Sequence, residues 1–456
     1  RMTEAAESEE TLSPLADGTT AGTGTLDLNG FNFSIRRIDL GAIAPGFTGM
    51  IEDSGTITLL PNLTDYNDGI RAFRGSISSG TTITGTGTLL KQGLDDVTMA
   101  NTGTGWTGNA SSRVDAGNLI LDFTVNNDGK IPSNVALDMR GGTLTINGNS
   151  GAPTVQSVTN FTLASGGHNT IAINPGAGQT ATLNLAAITR GTAAGTLRIT
   201  SPGTLGTDAF VTTSTANGSH GLVGLSGFAT VSDSTGGTWF ATNSGGNIVP
   251  LVSTIKDDIS TWLPMDHVTS SAGFFGAFPG AIQIGSLRFD AASAGALTLA
   301  ADNVLTIESG GILITDSVVA GTPGILNGTL AASGAANDII VRHDGIPLFT
   351  ISAQIGATNA FTKAGPGPVR LTSNNNTFTG AVNIQNGTLQ VSGGNAIGDN
   401  SPVTLADDHV SMFQILNDET IGRLSGGNIT TGLNLLATVD VGANTLTINN
   451  TGASTT

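Results

Sequence analysis

The chain has 456 residues, of which 65 are glycine and none is cysteine, and its formal net charge is −17. This excess of acidic residues excludes nucleic-acid binding through a basic surface and disfavours contact with anionic membranes. With 38% hydrophobic and only 11% charged residues, the chain is too apolar to be disordered. Its Gly, Thr and Asn content excludes a mainly helical protein. No run of about 18 apolar residues occurs, so no transmembrane segment is expected.

Short strands follow one another along almost the whole chain. In each of them Leu or Ile alternates with Thr or another small residue, a period of two that turns one row of side chains inward and the next outward. Gly, Asn and Asp separate the strands at short spacing, as tight turns require. The clearest strands, in chain order, are Thr23–Gly30, Gly142–Gly148, Ala296–Ala300, Val304–Ile307, Gly311–Ile314 and Asn444–Asn449.

This pattern predicts an all-β fold of the parallel β-helix (β-solenoid) type. A sandwich needs about 100 residues per domain with Greek-key connections, whereas each coil of a solenoid needs only the coils above and below it. At roughly 20–25 residues per coil, the chain is expected to make about 20 coils. We assign residues 18–231 and 286–456 to β-solenoid.

Two regions break the strand pattern. Residues 1–17 are acidic, and we expect them to form an N-terminal leader or a cap on the first coil. Residues 232–285 are rich in aromatic residues and contain prolines, and we interpret them as a lateral excursion that marks a boundary between two stacks of coils. Within this excursion, Val252–Trp262 is the best helix candidate of the chain.

One unit of the sequence occurs twice. Lys91-Gln92-Gly93 reappears as Lys363-Ala364-Gly365, at an offset of 363 − 91 = 272 residues. Trp106-Thr107-Gly108 reappears as Phe378-Thr379-Gly380 at the same offset, since 378 − 106 is also 272. A strand separates the two motifs in each copy. Recurrence of a strand–turn–strand unit is typical of stacked architectures, so both copies are expected to be coils of the stack.

The second copy, residues 361–391, resembles the autotransporter-associated β-strand repeat, also called the passenger-associated transport repeat, of large bacterial cell-surface proteins. The resemblance comes from Lys363-Ala364-Gly365, from Asn376-Thr377-Phe378-Thr379-Gly380 and from Gly387-Thr388-Leu389. Residues 89–121 are similar to a degenerate copy of it. The resemblance implies a right-handed β-helix carried to the cell exterior, and it implies no particular activity.

The repeated residues are expected to form corners of the stack. A lysine at such a corner can bind a ligand, or its stem can lie over the coil with the ammonium on turn carbonyls, which is the interpretation we favour. These corner residues are Lys91, Gly93, Trp106, Gly108, Lys363, Gly365, Phe378 and Gly380. Five aromatic residues of the excursion form a ligand or partner patch if they are exposed, and a small core if they are buried. They are Trp239, Trp262, Phe274, Phe275 and Phe278.

No catalytic residue and no cofactor or metal ligand is predicted. The doubled acids Asp95-Asp96, Asp257-Asp258 and Asp407-Asp408 do not form carboxylate pairs by themselves, because adjacent residues of a strand point to opposite faces. We expect them to bond the backbone in turns. The five His residues show no metal-binding spacing. Calcium bound on acidic turns stays open as an alternative.

Three classes of function fit the chain, all of them at the bacterial cell surface. The first is a non-enzymatic structural rod that self-associates end to end, through residues 440–456 or 1–15, into a filament, fibre or surface layer. The second is an adhesin or glycan-binding passenger domain whose excursion contacts a glycan or a host or neighbouring surface. The third, a polysaccharide-cleaving β-helix enzyme, ranks last because arginines are scarce and scattered.

Overall fold

The architecture was taken from a computed structural model of the chain. It describes residues 11–12, 22–35, 37–41, 47–52, 54–59, 69–103, 105–163, 167–191, 195–276, 278, 280–333, 338–356, 359–376, 378–406, 409–426 and 437–449. Most of residues 1–17, the doubled acid at 407–408 and the last seven residues therefore lie outside the described part of the chain.

The strands up to residue 250 form what we call the first stack. They are β1 (Thr11–Leu12), β2 (Gly22–Asp27), β3 (Asn32–Ile35), β4 (Arg37–Leu40), β5 (Phe47–Glu52), β6 (Gly55–Leu59), β7 (Gly69–Ala72), β8 (Gly75–Ile77), β9 (Thr81–Thr86), β10 (Thr88–Lys91), β11 (Asp96–Met99), β12 (Trp106–Thr107), β13 (Ser112–Val114), β14 (Asn118–Asp122), β15 (Leu137–Met139), β16 (Gly142–Asn147), β17 (Thr154–Ser157), β18 (Phe161–Leu163), β19 (His168–Asn174), β20 (Ala181–Asn184), β21 (Ile188–Arg190), β22 (Thr196–Thr200), β23 (Ala209–Thr212), β24 (Ala229–Ser232), β25 (Thr238–Ser244) and β26 (Asn247–Pro250).

The remaining strands form the second stack, which also contains a 3₁₀ turn at Ile259–Thr261. They are β27 (Thr254–Ile255), β28 (His267–Ser270), β29 (Ala281–Ile284), β30 (Ser286–Phe289), β31 (Ser293–Thr298), β32 (Val304–Ile307), β33 (Gly311–Ile314), β34 (Ala320–Leu326), β35 (Thr329–Ala332), β36 (Asp338–His343), β37 (Phe349–Ile351), β38 (Gln354–Ile355), β39 (Ala360–Ala364), β40 (Val369–Leu371), β41 (Val382–Ile384), β42 (Gly387–Val391), β43 (Pro402–Leu405), β44 (Ser411–Ile415), β45 (Glu419–Ile421), β46 (Arg423–Gly426), β47 (Ala437–Asp440) and β48 (Leu446–Ile448).

Outside the hairpin described below and the first and last strand of each sheet, each strand pairs in parallel with the equivalent strands of the coils above and below. In the first stack one sheet runs β1-β4-β7-β10-β13-β15-β18-β21 and another runs β2-β5-β8-β11-β14-β16-β19-β22-β24. In the second stack the sheets run β27-β28-β30-β33-β36-β39-β41-β43-β46 and β31-β34-β37-β40-β42-β44-β47. The prediction of an all-β parallel β-solenoid is confirmed, with about 15 turns instead of the expected 20. The number is lower because some coils are longer: Leu144 pairs with Ile171, 27 residues further on.

Inward-facing side chains stack in columns along each solenoid. One column of the first stack is fully buried and contains Val97, Leu119, Leu144, Ile171, Ile199 and Val231. An equivalent column of the second stack contains Leu297, Ile325, Ile351, Leu371, Val391 and Ile415. Each such side chain stabilises the fold by roughly 1.5–3 kcal/mol. The two stacks have separate hydrophobic cores, so the two repeat copies belong to different solenoids.

The end of the first stack is closed by a hairpin. Strands β25 and β26 pair with each other in antiparallel fashion, and they join β24 on one side to β23 on the other. These are the antiparallel strand pairs of the described residues. The turn between β25 and β26 contains Gly245 and Gly246, both with positive φ, as tight hairpin turns require. The hairpin thus covers edges that would otherwise be free.

The predicted helix at Val252–Trp262 is wrong. Residues 254–255 form strand β27, and only a three-residue 3₁₀ turn follows, with Asp258 as its N-cap. The turn ends because Trp262 is extended, at φ −71° and ψ 135°, and because Pro264 favours an extended residue before it. Parallel pairing of the second stack begins here at β27, inside the range assigned to the excursion.

The two stacks lie side by side with opposite chain direction. Over the first coils of the second stack, up to Asp338, its contacts in the first stack move backwards along the chain. The contact pairs, in the order of the second stack, are Arg288 with Thr238, Ser309 with Gly227, and Asp338 with Arg190. Strands β30, β33 and β36 are buried on both faces as a result, which is why their sequences are not strictly alternating.

Candidate functional site

The two repeat lysines occupy the same structural position. Lys91 Nζ donates to the carbonyls of Gln92, Gly93 and Ala116 at 2.9, 2.7 and 3.0 Å. Lys363 Nζ donates to the carbonyls of Ala364, Gly365 and Asn386 at 3.1, 2.6 and 2.8 Å. Each ammonium thus joins its own turn to the next coil. Both side chains are fully buried, and burial lowers the pKa of Lys91 to about 8 and that of Lys363 to about 7.

Of the other corner residues, Gly93 and Gly365 lie beside these lysines, and Trp106 lies at a different joint, next to Gly87. Gly93 and Gly365 both have φ +78°, a conformation that other residues adopt only with strain. Trp106 and Phe378 are buried, and the indole N–H of Trp106 donates to the Gly87 carbonyl at 3.2 Å. Gly108 lies against Val135, and Gly380 lies against the Asn359 carbonyl of the preceding coil. The two repeats therefore present structural joints at these positions.

The five aromatic residues of the excursion do not form one patch. Trp262 packs edge-on against Phe274 and Phe278, with ring centroids 5.6 and 6.4 Å apart. Phe275 points outward and is 59% exposed. Trp239 lies elsewhere, in the closing hairpin, with the Arg288 guanidinium 3.8 Å from its ring centroid. Trp262, Phe274 and Phe278 thus belong to the end of the second core, and Trp239 belongs to the contact between the stacks.

Trp262 closes the end of the second core, and its removal is expected to destabilise this stack. Its ring is 5% exposed and its indole N–H donates to the Lys256 carbonyl at 2.9 Å. Truncation of Trp262→Ala should cost about 3–5 kcal/mol, measured by urea unfolding monitored through hydrogen exchange of second-stack peptides. The neighbouring change Phe275→Ala is the control and should cost under about 0.5 kcal/mol. Equal losses for the two variants would contradict this role of Trp262.

A cleft opens between the two stacks and was not predicted from the sequence. Its volume is about 720 Å³, within the range of small-molecule sites. The first stack supplies Ile188, Arg190, Gly191, Thr215, Ala216, Asn217, Gly224, Leu225, Ser226 and Phe228. The second stack supplies Asp338, Ala360, Ala381 and Asn383. Arg190 and Asp338, which form an ion pair across the cleft, lie 148 residues apart in the sequence. A pattern of neighbouring residues therefore could not have predicted the cleft.

An ion pair between the stacks forms part of the cleft wall. Arg190 Nη2 donates to Asp338 Oδ2 at 2.8 Å, Nη1 donates to Ser226 Oγ at 3.2 Å, and Nε donates to the Gly195 carbonyl at 2.9 Å. The guanidinium carbon lies 5.7 Å from the centroid of the Phe228 ring. The other side of Asp338 accepts from Thr362 Oγ1 at 3.0 Å. The wall is therefore rigid and electrically neutral at this point.

Buried ionisable groups also occur beside and beyond the cleft. Burial, together with nearby Arg342, lowers the pKa of His168 well below its usual range, and Arg342 Nη1 lies 3.5 Å from both ring nitrogens of His168. Burial raises the pKa of Glu419 to about 7, and its carboxylate accepts from the backbone N–H groups of Ala396 and Ile397. These groups join coils or stacks to each other.

Neither a metal cluster nor a spanning helix is found in the part of the chain that the structure describes. There, no three His, Asp or Glu side chains come together in a way that could hold a metal ion, and calcium on acidic turns stays a prediction. Likewise, no helix among the described residues is long and apolar enough to cross a membrane.

Comparison with known proteins supports the repeat and its location. Residues 361–391 match the family model of the passenger-associated-transport-repeat. The chain is 29% identical over 337 residues, 70% of its length, to the adhesin BmaC autotransporter of Brucella suis biovar 1 (strain 1330). The match spans 9% of that relative's length. No solved structure matches the chain. The predicted resemblance is confirmed: residues 361–391 carry the transport repeat, and this repeat together with the similarity to an autotransporter adhesin indicates a location at the cell surface.

Proposed function

We propose that the chain is a non-enzymatic structural segment of a larger cell-surface passenger. The observation that supports this proposal is the use of its buried ionisable groups. Lys91, Lys363 and Glu419 have strongly shifted pKa values, but each bonds the backbone of a coil joint. In enzymes such groups face a cleft where a substrate can reach them. Acidic and neutral polysaccharides incubated with the chain should keep their length, and their depolymerisation would contradict the proposal.

We further infer that the chain self-associates through the end of its second stack. Two inward columns run out there: Val439 follows buried Phe413 and is 36% exposed, and Ile448 follows buried Ile421 and is 45% exposed. Strands β46, β47 and β48 each pair with one strand of the described residues. Strands that pair on one side only among the described residues, with exposed apolar side chains, favour addition of another strand layer. For the isolated chain, the layer that can add is a second copy.

Charged substitution at this end is expected to abolish self-association. Val439→Asp together with Ile448→Asp should convert a concentration-dependent oligomer into a monomer, because a carboxylate cannot be buried unpaired in a stacked core. Light scattering over a concentration series, with electron microscopy of the same samples, measures the change. The control Ile255→Asp places a charge on an exposed apolar residue at the opposite end of the second stack, where Ile255 is 61% exposed, and should leave the oligomer intact.

Wild-type chain that is monomeric at every concentration would contradict self-association. So would an oligomer that survives the Val439→Asp and Ile448→Asp changes.

A second candidate function is adhesion through a bound ligand. The relative is named an adhesin, and the observation in this chain that favours ligand binding is the cleft between the stacks. The predicted patch of five aromatic residues supports adhesion less well, since Trp262 is buried and Trp239 lies apart from the others.

A further inference from the structure

The cleft forms where the side chains of the second stack that face the first stack become smaller. On the outward face of the second stack, Ile340, Thr362 and Asn383 are register partners in successive coils. The Ile340 side chain reaches into the hydrophobic core of the first stack. One and two coils later the same column holds smaller, polar side chains, and Ala360 and Ala381 stand beside them. The stacks are therefore in contact at Ile340, leave the cleft beside Ala360, Ala381 and Asn383, and are in contact again where Thr196 Oγ1 donates to Gln385 at 2.5 Å.

The opposite wall is held rigidly by the first stack. Asn217 accepts from the Asn243 backbone N–H at 2.8 Å and donates to Thr242 and Asn243 at 3.0 Å. Thr215 Oγ1 accepts from the Ile188 backbone N–H at 2.6 Å. These bonds tie residues 215–217 to neighbouring coils. A site whose walls are fixed before binding loses little entropy when a ligand enters.

Asn383 and Ser226 supply hydrogen-bonding groups to the cleft. Asn383 is 5% exposed, and it lines the cleft. The Ser226 hydroxyl accepts from Arg190 Nη1, and its own hydrogen has no acceptor among the described residues. A ligand with hydroxyl groups that enters the cleft can therefore bond the amide of Asn383 and the hydroxyl of Ser226.

The electrostatics of the cleft select an uncharged ligand. Arg190, the one cation among the described lining residues, is neutralised by Asp338, so neither an anion nor a cation finds a free counter-charge among them. The net charge of −17 further disfavours anions. The remaining lining combines apolar surface, from Ile188, Phe228 and the alanines, with amide and hydroxyl groups. Carbohydrate offers the complementary combination, because sugar rings carry C–H faces together with hydroxyl groups.

We propose that the cleft between the stacks binds the end of an uncharged glycan, about one or two sugar rings in size. Asn383 and Ser226 bond its hydroxyl groups, and the apolar wall contacts a ring face. The proposal deepens the adhesin candidate and is independent of self-association. Glycan binding and oligomerisation are measured on different variants, so the failure of one leaves the other standing.

Saturation-transfer NMR with the whole chain tests this site. The probes are glucose, galactose, mannose, N-acetylglucosamine and disaccharides of each. At least one of them should bind, and Asn383→Ala should weaken it about five- to tenfold because one buried hydrogen bond is lost. Ala381→Phe should abolish binding by filling the cleft. The control Thr404→Ala changes the register partner of Asn383 one coil further on, outside the cleft lining, and should bind as wild type does.

Three results would overturn the proposal. The first is no signal from any of these sugars at about 10 mM, a concentration that detects very weak sites. The second is wild-type binding by both Asn383→Ala and Ala381→Phe. The third is stronger binding of glucuronate or of a lysine-rich peptide than of every neutral sugar, which would assign the cleft to a charged ligand. Hydrogen exchange of peptides around residues 188–190 and 338–343 verifies that each variant keeps the stacks together.

Discussion

Replacement of Lys363 by alanine should lower the free energy of unfolding of the second stack by about 3 kcal/mol. The ammonium of this side chain, fully buried, donates to three carbonyls, two in its own turn and one on Asn386 in the next coil. Without it, these carbonyls lose a donor in a place that water does not reach. Lys363→Met should remain destabilised, since methionine restores the apolar stem but donates no hydrogen bond.

Lys91 provides an internal replicate of this experiment. Because its three contacts repeat those of Lys363, Lys91→Ala should cause a similar loss, confined to the first stack. Hydrogen exchange measured by mass spectrometry resolves the two stacks, since it reports opening segment by segment. Faster exchange is expected at residues 361–391 for Lys363→Ala and at residues 89–121 for Lys91→Ala.

The control for both lysines is Lys256→Ala. Lys256 is partly exposed and pairs with Asp266, so its loss should cost under about 1 kcal/mol. Exchange at 361–391 that is unchanged in Lys363→Ala would show that the corner lysine does not hold the coils together.

Valine at position 227 should separate the two stacks. Gly227 donates its backbone N–H to the Ser309 carbonyl at 2.8 Å, and a Cβ atom here would lie 2.6 Å from Gly311 Cα. Gly311 in turn lies against Phe240, since a Cβ on Gly311 would be 2.8 Å from that ring. Backbone faces backbone at this contact, so no flexible side chain can move aside. The added branched side chain therefore forces the stacks apart.

The separation is measurable in solution as a change of shape. Small-angle scattering should show a larger radius of gyration for Gly227→Val than for wild type, and a protease should cut the exposed connection near residues 250–254. Gly295→Val is the matched control: a Cβ at Gly295 meets no atom within 4 Å, so its scattering curve should match wild type. An unchanged radius of gyration for Gly227→Val would contradict the packing of the stacks through these glycines.

The coil structure was predictable because it depends on neighbouring residues. The alternation in Gly142–Asn147 places Leu144 and Ile146 inward, and both are fully buried. The repeat at 361–391 likewise contains the residues that form its corner, since Lys363 donates hydrogen bonds to the carbonyls of the two residues that follow it. A solenoid coil pairs with the next coil only about 20–27 residues further on, so a short window of sequence contains most of what determines it.

The helix predicted at Val252–Trp262 does not form, because contacts with residues outside this segment hold it extended. Apolar spacing there favours a helix, but the backbone of Lys256 donates to the Thr269 carbonyl of the next coil. Pairing with the neighbouring strand holds the segment extended, and Asp258 and Trp262 limit the helical part to one turn. The sequence does contain one signal of the side-by-side packing: Ile339-Ile340-Val341 is apolar without alternation, as a strand buried on both faces is.

By itself, the sequence determined the parallel β-solenoid and the repeat with its lysine corners, because period-two alternation and corner chemistry operate within a coil and its neighbour. The location at the cell surface was implied by the resemblance of residues 361–391 to the transport repeat. Only the tertiary structure decided that the second stack turns back along the first, that Trp262 closes a core, and that Arg190 and Asp338 meet beside a cleft. These features arise from contacts between residues far apart in the chain. Such contacts depend on the shape complementarity of the two stacks. Gly227 and Gly311 allow the backbones to meet, and the smaller side chains in the column that ends at Asn383 leave the cleft. This complementarity exists only once both stacks have formed.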